Sequence, residues 1–234
     1  SGDSYIYMAF AGGMDSISDY NTDGSIDSRV KANPTYGQSI VSYVGTGSAT
    51  TVGHGLSSAP DLIIVKNRDY TQDWAVYDSV NGSGYFLRLN ADNARQATTT
   101  AWNNDATSSV FGVGNWTATN KSGDNHIAYC WHSVTGYSKI GSYTGSGSGG
   151  SPTITIGFRP AFLLVKNASA VDNWRLYDNT RTTNLGETIL YPNLNVAEDS
   201  SSVSANWHYT VTDTTITPKG GNNNASGNTF IYMA

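Results

Sequence analysis

The stretch nearest to metal chemistry is Asp19-Tyr20-Asn21-Thr22-Asp23-Gly24-Ser25-Ile26-Asp27. Its oxygen donors Asp19, Asn21, Asp23 and Asp27 fall where a calcium loop has its first, third, fifth and ninth positions, with Gly24 at the sharp turn and Ile26 two places on. The twelfth position, where such loops carry a bidentate acid, is Val30, and neither flank reads as a helix. Calcium takes about six to eight oxygens, so backbone carbonyls and water would have to complete the set. The alternative reading is an Asx-rich turn ahead of a strand at 25–30.

Glycoside hydrolysis needs a pair of carboxyl groups, one held as an acid. The candidates are Asp78 and Asp178, each following a tyrosine, and the chain's only glutamates, Glu187 and Glu198. Neither glutamate has a counterpart in the other half of the chain, and acids of this kind usually serve surfaces and turns. The single cysteine, Cys130, has His132 two residues on, but no third group is visible to orient a base, so a small buried hydrophobe is the simpler reading. The histidines (His54, His126, His132, His208) show no metal-ligand spacing. No phosphate loop, nucleophile elbow or dinucleotide fingerprint is present.

Aromatic residues offer a different chemistry. An indole face stacks on the apolar face of a sugar ring while Asn and Asp hold its hydroxyls. Trp102 and Trp116 lie in polar surroundings and suit that role; Trp74 and Trp174 occupy matched positions, for which core packing is the alternative.

The elements that must position these residues are strands. Gly (25) and Tyr (15) are plentiful and charged residues are only 13%, a composition of β-structure with tight turns. Helical spacing is absent over any long stretch. A net charge of −5 with no basic run excludes nucleic acid as the main partner, and no apolar stretch has bilayer-spanning length.

The chain repeats itself. Pro60-Asp61-Leu62-Ile63-Ile64-Val65-Lys66-Asn67 matches Pro160-Ala161-Phe162-Leu163-Leu164-Val165-Lys166-Asn167, and Asp73-Trp74-Ala75-Val76-Tyr77-Asp78 matches Asn173-Trp174-Arg175-Leu176-Tyr177-Asp178, at a constant offset of 100. A closing phrase, a Ser-Gly turn feeding an apolar run, occurs at 1–10, 122–131 and 226–234. This predicts the end of a preceding repeat with a connector at 1–32, a first repeat at 33–133 and a second at 134–234. Each repeat offers six or seven short strands, the spacing of an antiparallel sandwich or jelly roll. The continuous run Leu62 to Val65 predicts a strand covered on both faces.

Val52-Gly53-His54-Gly55-Leu56-Ser57-Ser58-Ala59-Pro60, Ile127 through Lys139, Ile156-Gly157-Phe158-Arg159-Pro160-Ala161 and the 19–26 segment together resemble a module of large virion proteins of tailed phages, especially marine ones, over nearly the whole chain. The resemblance implies tandem concanavalin-like, lectin-type sandwiches in a tail-fibre or other virion structural protein exposed on the particle surface. It implies no catalytic residues. The expectation is therefore a non-enzymatic display module that forms a homo-oligomer, trimeric as fibres usually are, and contacts other virion proteins or host-surface glycans. The competing expectations are a polysaccharide-degrading enzyme on the same sandwich and a pure scaffold without ligand. No cofactor is expected beyond calcium at 19–27.

Overall fold

A computed structural model describes residues 9, 20–181, 188–199 and 209–234. The chain is all-β, with antiparallel pairing throughout its sheets and, among the described residues, one four-residue α-helix, Thr117–Asn120. The expected strand at the head of the chain, together with Asp19, Glu187, Trp207 and His208, lies outside the described residues.

The main sheet of the first sandwich holds two strands from the segment expected to be a connector, β1 (Tyr20–Asn21) and β2 (Ser28–Asn33), beside β3 (Gln38–Val44), β5 (Leu62–Asn67), β6 (Ala75–Asp78), β7 (Tyr85–Arg88), β8 (Gln96–Ala97) and β10 (Asn125–Trp131). Their order is β1-β2-β3-β10-β5-β6-β7-β8. A smaller sheet of β4 (Thr50–Gly53) and β9 (Val110–Val113) faces it. The second repeat pairs β11 (Ile140–Thr144), β13 (Phe162–Asn167), β14 (Arg175–Asp178) and β17 (Thr229–Met233) in the order β11-β17-β13-β14. Its facing sheet holds β12 (Ile154–Thr155), β16 (Thr215–Pro218) and β15 (Tyr209–Val211). The core orders β3-β10-β5-β6 and β11-β17-β13-β14 are the same topology, so the repeated sequence folds twice into one arrangement.

Side-chain alternation along each strand separates three cores. Inward residues of the first repeat (Val41, Ile63, Val65, Tyr77, Ala128, Cys130) pack with Val52 and Phe111 of its small sheet. Leu163, Val165, Tyr177, Phe230 and Tyr232 pack with Ile154 and Ile216 in the second. The outward residues form a third core between the repeats: Leu62, Ile64, Val76 and Leu87 of the first against Ile140, Leu164, Trp174 and Ile231 of the second. The run Leu62 to Val65 is thus covered on both faces, as its unbroken apolar character requires. The two repeats stack back to back through equivalent faces of their main sheets.

The same polar devices recur in both. Tyr43 stacks on His126 across the strand pair, and Tyr143 on Phe230, with ring centroids 5.2 and 4.9 Å apart. Asn120 is fully buried: its Oδ1 accepts from Thr46 N and its Nδ2 donates to the Ser48 and Gly114 carbonyls. Asn224 does the same, accepting from Ser146 N and donating to the carbonyls of Gly147 and Gly150. Buried amides are tolerable because each is saturated with hydrogen bonds.

Candidate functional site

The four candidate tryptophans, Trp74, Trp102, Trp116 and Trp174, do not converge. Trp102 is 3% exposed and lies in the inner core of the first sandwich, edge-on to Tyr77 with centroids 5.7 Å apart. A ring so enclosed has no face to offer a ligand, so its polar sequence neighbours misdirect: they line the turns on either side while the indole supplies apolar area to a thin two-stranded layer. Trp174 is 2% exposed in the core between the repeats. Trp74 packs against that same core. Trp116 packs its half-buried ring on Phe86, with the Arg88 guanidinium 5.9 Å from its centroid, and that guanidinium is already tied to Asp73 and Gln96.

In the 19–27 segment, Asn21 makes an Asx turn. Its Oδ1 accepts from Asp23 N, and its Nδ2 donates to Asp23 Oδ2, both at 3.0 Å. Ile26 is buried and bridges to Val52, which fixes the segment on the small sheet, while Asp27 is exposed. No group of three acidic, histidine or cysteine side chains gathers among the described residues, and Asp19 lies outside them.

The carboxyl groups are occupied in turns. Asp78 accepts from the backbone N–H and side-chain amide of Asn81; burial raises its pKa, and those hydrogen bonds oppose the rise. Burial also pushes Asp178 upward, but backbone and side-chain hydrogen bonds from Arg181 outweigh it and hold the carboxyl below the usual range. Glu198 pairs with the same Arg181 at 2.9 Å. Cys130 is fully buried and burial pushes its thiol well up, away from the thiolate a nucleophile needs. The His132 ring is bonded through Nδ1 to the Ser133 carbonyl, 2.9 Å away. His54 is a core histidine: its Nδ1 accepts from Leu56 N, its Nε2 faces the Thr107 carbonyl, and burial lowers its pKa.

What the fold brings together instead is an aromatic cleft of about 260 Å³ at the seam of the two repeats. Trp131, Phe162 and Met233 form its floor, and Tyr36 and Tyr137 its rim. The two tyrosines are 48% and 52% exposed, with ring centroids 4.7 Å apart. They stand on equivalent turns, one just ahead of β3 and the other just ahead of β11. Tyr36 ends a 3₁₀ turn, Pro34–Tyr36, whose cap is Asn33 Oδ1 accepting from Tyr36 N. Gly37 then takes φ 65°, a left-handed conformation that favours glycine. Tyr137 rides a loop closed by reciprocal bonds between Val134 and Ser138. Tyr129 extends the aromatic surface along β10, stacked on Trp131 at 6.2 Å.

Among the described residues, Gln38 and Ser138 are the polar side chains on the wall, Ala9 and Ala234 also line it, and no charged side chain does. The site thus suits a neutral ligand with one apolar face and a few hydroxyl groups. Small-molecule pockets run to roughly 300–1,000 Å³, so this one would take a single ring of a longer chain. A wider trough between residues 147–151 and 219–225 is lined by Gly, Ser, Asn224, Ala225 and Lys219, with no aromatic platform among the described residues. The signal for the cleft was present in the sequence as tyrosines beside glycines at matched turns, Tyr36-Gly37 and Gly136-Tyr137. Their meeting depends on which sheet faces pack together, which no local pattern specifies.

A sequence family described as Domain of unknown function (DUF7483) matches residues 15–234 and so runs through both sandwiches. No curated protein and no solved structure matches the chain.

Proposed function

The chain belongs to the DUF7483 family, and from its own residues we propose that it is a non-enzymatic display module of a phage particle, part of a tail fibre or surface decoration, that contacts neutral glycans through the Tyr36–Tyr137 cleft. The observation that carries this reading is the pair of half-exposed tyrosines over Trp131, held on two tight turns at the junction of two sandwiches. Exposed aromatic rings fixed on rigid turns lose little entropy on binding and stack on sugar faces. The resemblance of the sequence motifs to tailed-phage virion proteins supports the setting on a particle surface. Two sandwiches joined through a shared apolar core make a stiff unit whose loops can vary without disturbing the interior. In that setting the module assembles as a trimer with other virion proteins around it.

The test is a screen of bacterial surface polysaccharides and neutral oligosaccharides, read by tryptophan fluorescence. Saturable binding without product release is expected. Turnover that is lost on Glu187→Gln would replace this reading with a polysaccharide-degrading one, and a blank screen would leave a scaffold.

A further inference from the structure

The second repeat closes over only part of the first repeat's main sheet. It buries Leu62, Ile64, Val76 and Leu87 on the outer face of β5, β6 and β7. The same face continues over β10, β3, β2 and β1, and there it stays at the surface. Ile40, Ser42, Ile127 and Tyr129 are half-buried, and Arg29 and Tyr20 are exposed. Alternation fixes which residues the face presents. Val30, Val41, Val65 and Ala128 turn into the first core. Their chain neighbours Arg29 and Lys31, Ile40 and Ser42, Lys66, and Ile127 and Tyr129 therefore turn out.

The charge on this face has one sign. β1, β2, β3, β5 and β10 contain no Asp or Glu, and Arg29, Lys31 and Lys66 all lie on their outer side. The whole chain carries 18 acidic residues against 13 lysines and arginines, so this is a cationic strip on an acidic body. The exposed acids nearest in sequence, Asp27 and Asp69, stand outside the strands, and Asp69 Oδ2 is held by the backbone and side-chain amides of Asn125.

The registers order the strip. Arg29 lies beside Ser42, Ser42 beside Ile127, and Ile127 beside Lys66. Arg29 and Lys66 thus end one row, three strand spacings or about 14 Å apart. In the next row Ile40 stands between Lys31 and Tyr129. Lys31 has contacts of its own. The Arg29 guanidinium is steadied by Tyr20, 5.1 Å over its ring and 3.1 Å from its hydroxyl. Lys66 differs from its counterpart in the second repeat. Lys166 is fully buried and spent on carbonyls at the junction, that of Asp92 among them, whereas Lys66 is half-buried and bonds the Asn67 carbonyl of its own strand.

A flat face with cations at the ends of a row, and a hydroxyl, aliphatic groups and a tyrosine between them, suits a polymer that combines charge with apolar ring faces. Sugars that carry carboxylates have both: the ring stacks on an aromatic face, and the carboxylate pairs with guanidinium or ammonium. Duplex nucleic acid suits it less. Its charge is packed at one per about 1.7 Å, and a net charge of −5 on the protein opposes so dense a polyanion. We propose that the outer face of β1, β2, β3, β10 and β5 binds an acidic polysaccharide, a polymer of carboxylate-bearing sugars laid across the strands from Arg29 to Lys66. This does not rest on what the Tyr36–Tyr137 cleft binds.

The experiment titrates the complete chain with polygalacturonate, with dextran as the neutral polymer and duplex DNA as a second polyanion. Saturable binding of polygalacturonate is expected, and it should disappear between about 0.1 and about 1 M salt, where the screening length falls from about 10 to about 3 Å. Arg29→Gln and Lys66→Gln should each weaken it roughly two- to fivefold, the loss of one ion pair near the surface. Arg159→Gln removes the same charge from a side chain 55% exposed on the second sandwich and should change nothing. Where Lys66→Gln lowers the melting temperature, Arg29→Gln, at an exposed position, decides alone. Absence of polygalacturonate binding overturns the proposal, and so does binding that survives the high salt or that Arg159→Gln weakens as much as the two face variants do. Duplex DNA bound as tightly as polygalacturonate, with the same dependence on Arg29 and Lys66, would overturn the assignment to a sugar polymer.

Discussion

The indole N–H of Trp174 in the second sandwich donates to the main-chain carbonyl of Arg88 in the first, at 2.7 Å, inside the core that joins them. Around it, Arg95 N donates to the Ala168 carbonyl and Asp172 N to that of Asp92, at 2.9 and 2.8 Å. The junction is therefore part of the folded interior and not a hinge. Trp174→Ala is expected to cost about 3–5 kcal/mol, in line with deletion of a buried aromatic ring. Trp174→Phe keeps most of the apolar area but strands the Arg88 carbonyl, at about 1–3 kcal/mol. Urea unfolding should show one cooperative transition in the native chain. A transition splitting in two for Trp174→Ala would locate the loss at the junction.

Asn120 and Asn224 make matched predictions. Each saturates its side-chain amide on loop carbonyls at the end of its own sandwich. Replacing either by Ala leaves several buried backbone groups unpaired, at about 1–3 kcal/mol each. The sites share no partner, so the double variant should lose the sum of the single effects to within about 0.5 kcal/mol. A large departure from additivity would mean that the two loop networks communicate.

Lys166 sets a pH dependence. Its ammonium is fully buried and faces four carbonyl oxygens, those of Asn167, Ala170, Asp172 and, from the other repeat, Asp92. Burial draws its pKa down to about 8, against the opposing pull of the Asp172 and Asp92 charges. The folded pKa lies below the unfolded value, so between them the unfolded chain binds more protons and stability rises with pH. The stabilising slope should run from about pH 8 towards the ordinary lysine range near 10.4. Lys166→Met should abolish that slope, whatever its effect on absolute stability. Urea midpoints at pH 7.5, 8.5 and 9.5 are the measurement, and a native slope that the variant retains would refute it.

The cleft is tested by its rim. Tyr137→Ala and Tyr36→Ala remove rings that are half exposed, so the melting temperature should hardly move. A lost stacking contact is worth about 0.5–1.5 kcal/mol, so each should weaken glycan binding by roughly twofold to tenfold. Trp116→Ala, on a surface away from the cleft, should leave affinity unchanged.

Much of this architecture can be read from the letters. The offset of 100 identified equivalent residues, and the equivalences hold in space: Tyr43 and Tyr143 and the Lys-Asn pairs occupy the same places in the two main sheets, and Trp74 and Trp174 each stand one residue ahead of the equivalent strands β6 and β14. Leu62 to Val65 announced a doubly covered strand. The tryptophans were harder. Sequence shows an aromatic residue in a polar stretch but not which side of the strand it faces, nor whether a neighbour covers that side. Trp102 turns inward, and Trp174 turns outward onto a face that the other repeat buries. Tyr36 and Tyr137 lie in separate repeats, and only the stacking of equivalent faces brings their turns together.

The strand order has a consequence for synthesis. In each sandwich the last strand made, β10 or β17, occupies the middle of the main sheet, between two strands made much earlier. On a translating ribosome, β3 and β5 must wait with unsatisfied edges until residues 125–131 emerge, and β11 and β13 until residues 229–233 do. Folding of each half is thus gated by its final few residues, and a release that comes slightly too soon leaves a sheet split down its centre rather than trimmed at its margin.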